Sequence, residues 1–110
     1  MAIMSDRQSI AANATVSNVL AGKVHEFLTG PSVVRFYGDA SAVGMNTTFL
    51  VGNESIVQDQ EVSAANRFPV VPDDFIGESG GVAGDRIVIS YRNTTAGAIT
   101  VFTRVEVEPA

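Results

Sequence analysis

The stretch Asp85-Arg86-Ile87-Val88-Ile89-Ser90-Tyr91-Arg92-Asn93-Thr94-Thr95-Ala96-Gly97-Ala98-Ile99-Thr100-Val101-Phe102-Thr103-Arg104-Val105-Glu106-Val107-Glu108 decides the fold. Ile87, Ile89 and Tyr91 fall on one side of an extended chain, with Arg86, Ser90 and Arg92 on the other. After Asn93-Thr94-Thr95-Ala96-Gly97 the alternation resumes. Ile99, Val101, Val105 and Val107 share a side, opposed by Thr100, Arg104, Glu106 and Glu108. A period of two with β-branched enrichment predicts half-buried strands, because successive side chains of a strand point to opposite faces. Two such runs around a Gly-containing turn predict an antiparallel hairpin.

Upstream, the same pattern recurs in shorter pieces. Residues 33–40 alternate Val34 and Phe36 with Arg35 and Tyr37, and residues 46–51 place Thr47, Phe49 and Val51 on one side. Gly52-Asn53-Glu54 predicts a turn into a strand at residues 55–58, a second hairpin. Short strands are expected near residues 9–11, 15–20 and 61–64, with a turn at Asn13. Residues 23–28 are ambiguous: Val19, Leu20, Val24, Phe27 and Leu28 could line a short helix, against which Gly22 weighs. Residues 66–84 hold Pro69, Pro72, Asp73, Asp74 and four glycines and read as a long irregular segment. Phe68, Val70, Val71, Phe75 and Ile76 make it too apolar for a free linker. A loop of that length is usually functional or partner-bound. The expected architecture is all-β, a single antiparallel β-sandwich or jelly roll of about seven or eight short strands. Residues 1–8 are expected to be a flexible N-terminal arm, and residues 9–110 the sandwich domain.

Composition narrows the function classes. The 110 residues suffice for one core, and 45% hydrophobic content with mean hydropathy +0.21 fits a packed domain. Only 17% of residues are charged, against about 25% in typical soluble domains, so part of the surface is expected to face copies of the chain or a partner. The net charge of -5 is wrong for wrapping a phosphate backbone, and no nucleic-acid partner is expected. Lys23 is the only lysine beside six arginines, a bias that suits planar pairing with carboxylates. The chain has no cysteine, which removes disulfides, thiolate metal sites and a thiol nucleophile. Residues 1–8 show no apolar leader core and no run approaches a membrane span, so a soluble, intracellularly made product with no membrane partner is expected.

Candidate chemistry is sparse. Gly77-Glu78-Ser79-Gly80-Gly81 resembles the nucleophile motif of chymotrypsin-like proteases, with Glu where that motif has Asp. A triad needs a histidine base and its orienting acid in geometric register, and His25 is the only histidine. The motif reads as a flexible loop and His25 as an ordinary surface or interface residue. Asp73 and Asp74, with Glu78 and Asp85 near in sequence, offer oxygens to Ca²⁺ but lack the spacing of a calcium loop, and they read as turn residues. Asn13, Asn46, Asn53 and Asn93 each open a glycosylation sequon, in keeping with turn composition. Tyr37 and Tyr91 raise the alternative of a carbohydrate-binding or adhesion module, although no tryptophan supports a stacking platform. No cofactor and no enzymatic role are expected.

The segments Gly84-Asp85-Arg86-Ile87-Val88-Ile89, Arg92-Asn93-Thr94-Thr95-Ala96-Gly97-Ala98-Ile99-Thr100-Val101 and Arg104-Val105-Glu106-Val107-Glu108-Pro109 resemble those of small β-sandwich virion proteins of bacteriophages. Gly52-Asn53-Glu54-Ser55 and Asn66-Arg67-Phe68-Pro69-Val70 add to the likeness. The resemblance implies a capsid, decoration or minor structural protein of a virion, made in the host cytoplasm. Such a protein would associate with itself and with other virion proteins. The residues expected to make those contacts are Ile3 and Ile10 near the arm and Phe68, Val70, Val71, Phe75 and Ile76 in the loop.

Overall fold

The computed structural model describes residues 2–71 and 73–110; Met1 of the expected arm and Pro72 of the expected loop lie outside them. Eight strands run in chain order: β1 (Ala2–Ile10), β2 (Thr15–Val16), β3 (Ser32–Ala40), β4 (Met45–Val51), β5 (Glu54–Glu61), β6 (Phe75–Gly81), β7 (Ile87–Asn93) and β8 (Ile99–Pro109). They form two four-stranded sheets of order β1-β8-β3-β6 and β2-β7-β4-β5. Every pairing is antiparallel. The all-β expectation holds.

The topology is that of one long hairpin ribbon, folded over. Its tip is the β4–β5 turn, where Val51 faces Glu54 and Gly52 takes the positive φ of 62° that a two-residue turn needs at its first position. From that tip, β3 pairs β6, β2 pairs β7 and β1 pairs β8. Wrapping the ribbon adds the β3–β8 and β4–β7 ladders. This is a jelly roll, a double-sheet arrangement in which most connections cross from one sheet to the other.

That wrapping corrects the hairpin expected at residues 85–108. β7 and β8 are consecutive, but they lie in different sheets. Alternation reports which side of a strand is buried, not which strand lies beside it. Thr94 to Ala98 therefore turns a corner, and the fully buried Asn93 holds it. Its amide donates to the carbonyls of Ile10 (3.1 Å), Ala11 (3.2 Å) and Gly97 (2.8 Å), while its oxygen accepts from Thr95 N (2.9 Å). One side chain thus satisfies the backbone where three segments converge, as buried polar groups require.

The core lies between the sheets. Val34, Phe36, Met45, Phe49, Ile87, Ile89, Tyr91, Val101 and Val105 are fully buried, each side chain contributing about 1.5–3 kcal/mol. Phe36 meets Phe49 at 5.4 Å and Tyr91 at 6.3 Å between ring centres. The Tyr91 hydroxyl is satisfied by Thr103 Oγ1 at 2.6 Å, and burial pushes its pKa upward.

Three further expectations are revised. Residues 2–10 are not a loose arm but strand β1, in unbroken register with β8. The glycine motif at residues 77–81 is not a flexible loop but strand β6. There a Cβ on Gly77 would lie 3.1 Å from Val57 and 3.2 Å from Phe49, so the bare backbone lets the two sheets close. Finally, the strand expected at residues 15–20 ends at Val16, and residues 17–31 form no helix. Val19, Leu20 and Leu28 are buried there, while Val24 and Phe27 face solvent.

Candidate functional site

The outer face of the sheet containing β1, β8, β3 and β6 gathers most of the side chains singled out from the sequence. Register fixes its rows. Ile3, Glu106, Arg35 and Glu78 lie side by side across the sheet; next come Ser5, Arg104, Tyr37 and Phe75; then Arg7, Phe102 and Asp39. Arg35 spans three strands, with Nη1 at 2.7 Å from Glu108 and Nε at 3.6 Å from Glu78. Its hydrogen bond and charge hold the Glu108 carboxyl below the usual carboxylate range. Arg104 reaches Glu106 at 2.9 Å. Two arginines thus engage three glutamates on this face, while Arg7 stands in the next row beside Phe102.

Residues 63–71, with Asp73 and Asp74, form a roof over one end of the face, and two buried aspartates fasten it. Asp39 ends β3; its Oδ1 accepts from Ala40 N and Ala65 N, both at 2.7 Å. Its Oδ2 is buried without a hydrogen bond, with Arg67 Nε at 3.8 Å. Asp74 Oδ2 accepts from Val70 N at 2.9 Å and from Arg67 Nε at 3.3 Å. The Asp74 carboxylate raises the Arg67 pKa. Backbone bonds Ala40 N to Ser63 O (2.9 Å), Asn66 N to Ala40 O (3.0 Å) and Gly38 N to Asp74 O (3.1 Å) complete the attachment. Asp73 is exposed and Asp74 staples the roof, so the pair acts as turn chemistry.

The roof displays apolar side chains outward. Phe68 stands on Phe102 at 5.1 Å between ring centres and remains 52% exposed; Phe75 stands on Tyr37 at 5.6 Å and remains 46% exposed. Val70 and Val71 are exposed between them in sequence, and Arg7 lies over the Phe102 ring at 5.8 Å. Two of the expected contact residues do not belong here. Ile10 is 1% exposed, an inward residue at the end of β1. Ile76 is the extra residue of a bulge, because Phe36 pairs with Gly77 and Tyr37 with Phe75. The bulge turns Ile76 inward to fill the space beside Gly38, where a Cβ would come within 2.8 Å of its Cδ1. Ile3 is exposed on the same face, two rows from Phe102.

The remaining candidates fall apart as sites. Ser79 faces inward from β6, its hydroxyl donating to Gly80 O at 3.0 Å. His25 is half-buried beside Glu26. Glu26 is engaged by Gly22 N (2.9 Å) and Arg86 Nε (2.6 Å), and these bonds lower its pKa. Tyr91 is core. Tyr37 lies beneath Phe75 with its hydroxyl toward Glu106, and burial followed by the Glu106 charge raises its pKa. Neither tyrosine offers a ring face for stacking. Among the described residues there is no pocket and no group of His, Cys, Asp or Glu placed to hold a metal ion. Sequence reading missed Asp39, although an aspartate closing an apolar strand is an available signal of a buried carboxylate with structural work. No family model, no curated protein and no solved structure matches the chain.

Proposed function

We propose that the chain is a non-enzymatic structural subunit of a bacteriophage particle, a capsid or capsid-decorating protein that acts through self-association and lattice contacts. The observation that carries this reading is the apolar roof itself. Phe68, Val70 and Val71 on the roof and Phe75 at the start of β6 are all exposed, yet Asp39 and Asp74 fix the segment that bears the first three. Holding apolar side chains rigidly toward water is unfavourable for an isolated chain and favourable for one whose partner is always near, since contiguous apolar patches mark interaction sites. The jelly roll, a form common among capsid proteins and also found in lectins and cupins, accords with this and does not by itself establish it. The likeness of residues 84–109 to phage virion proteins supplies the biological setting.

Light scattering after size exclusion, with negative-stain imaging of the leading peak, tests the proposal. Closed rings, shells or defined oligomers larger than a dimer are expected. A monomer persisting to about 1 mM, where contacts of only ~4 kcal/mol would be half populated, contradicts self-association.

A further inference from the structure

The sheet edges differ in how they discourage an added strand. β5 breaks register twice, takes positive φ at Asp59 and ends in Gln58-Asp59-Gln60-Glu61. β6 is bulged at Ile76 and rich in glycine. On the β2 side, the chain covers the β7 edge where β2 stops. The Asn18 side chain donates to Ile87 O and accepts from Ile89 N, each at 3.1 Å, as a neighbouring strand would. Val19 N reaches Ile89 O at 2.9 Å, and Ile87 N reaches Glu26 O at 2.8 Å. β1 carries only one such device, the inward-facing Asp6 bound by Lys23. It runs nine residues without glycine, proline or bulge, and its other edge has no strand partner among the described residues. The bulges, glycines and covering backbone bonds of the other edges are absent from it, and a long regular edge is a template for pairing.

We propose that β1 is where a second copy of this chain adds, β1 against β1 and antiparallel, joining two four-stranded sheets into one continuous sheet. The inference rests on the assembly reading and deepens it by naming the partner and the register. Continuity of the two outer faces requires opposed residues of equal parity. Centring the pair on Asp6 or on Arg7 sets like charges directly opposite, which is destabilising. Centring it on Ser5 pairs residues 2–8 of each copy and avoids both clashes. Met4 then faces Asp6, and Ile3 faces Arg7 of the second copy. That Arg7 lies one strand from Glu106, which neighbours Ile3 on the other side, so opposite charges flank the junction.

The surroundings extend the contact. Lys23 binds Asp6 at 3.3 Å, which brings the segment around Lys23 to this edge. That segment exposes Val24 at 89%, and β1 itself exposes Ile3 at 49%. Apolar surface beyond the strand is needed, because stable contacts bury about 800 Å² per partner.

The chain has no cysteine, so single cysteine variants report without background. Paired Cα atoms in an antiparallel ladder lie about 4.5–5.5 Å apart, within the span a disulfide bridges. Under mild oxidation, Ser5→Cys is expected to link into dimers at least roughly tenfold faster than Ser9→Cys or Gln58→Cys, because held thiols have a high effective concentration. Light scattering of the unaltered chain is run alongside. If the chain associates while Ser5→Cys links no faster than the controls, the edge pairing is wrong and the assembly reading stands. If Ser5→Cys links and nothing larger than a dimer forms, the edge pairing stands and the particle reading is lost. A monomeric chain with equal linking in all three variants overturns both.

Discussion

The two outer faces of this jelly roll are built from the same kind of strand and end as different surfaces. One face, on β1, β8, β3 and β6, is crossed by Arg35 and Arg104 with their glutamates and roofed at one end by residues 63–71 with Asp73 and Asp74. The other, on β2, β7, β4 and β5, carries mostly short half-buried side chains in rows: Leu50 beside Val88, Thr48 beside Ser90, and Asn46 beside the exposed Arg92. Its one ion pair is Arg92 with Asp59 at 2.8 Å. The roofed face spends buried carboxylates to hold apolar rings outward. The bare face spends nothing comparable. A surface kept in shape at a cost in polar burial is the one that points to a partner.

Substitutions that separate the faces should rank accordingly. Asp39→Ala leaves the Ala65 amide without its acceptor and Ala40 N with Ser63 O alone, and a loss of about 2 kcal/mol is expected in denaturant melts. Hydrogen exchange at Ala65 should speed up with it; unchanged exchange there would mean the roof does not depend on Asp39. Phe68→Ala removes one aromatic pair and partial burial and should cost about 1 kcal/mol by the same melts. Thr48→Ala, on the bare face, loses only the exposed bond from Asp59 N at 3.1 Å, so a change within about 0.5 kcal/mol is expected. A larger loss would erase the contrast between the faces.

Acid tests both faces with one sign and the smallest effect. Glu108 on the roofed face and Asp59 on the bare face have lowered pKa values, each chiefly from a hydrogen bond to arginine. In the window between the folded and the ordinary carboxylate values the unfolded chain binds more protons, so stability falls as pH falls through it. Both pairs are exposed and screened, so the slope is expected to be shallow. Arg35→Gln and Arg92→Gln should each flatten it in urea midpoints measured from pH 6 to pH 3 (roughly the carboxylate range).

Much of this fold was legible because its long strands obey period two. The buried sides of β7 and β8, with Ile87, Ile89, Tyr91, Ile99, Val101 and Val105, follow directly from alternation. The Gly52 turn was equally plain. Strand pairing was not, since a corner and a hairpin have the same alternation and differ only in where the returning strand docks. β1 escaped because Asp6 interrupts an inward row otherwise marked by Met4 and Ile10. β6 escaped because its glycines are there for close sheet contact, which local sequence cannot distinguish from a loop. In the candidate site, apolar content identified Phe68, Val70, Val71 and Phe75. It could not tell that Ile10 ends an inward row or that a bulge turns Ile76 away from solvent.

The most direct test of the account is light scattering across a concentration series for the unaltered chain, Phe75→Asp and Ser90→Asp. Phe75 stands on the roofed face, and Ser90 lies mid-strand on the bare one. The account expects the unaltered chain and Ser90→Asp to associate alike, with Phe75→Asp shifted toward monomer. Association undiminished in Phe75→Asp, or lost in Ser90→Asp instead, would contradict it.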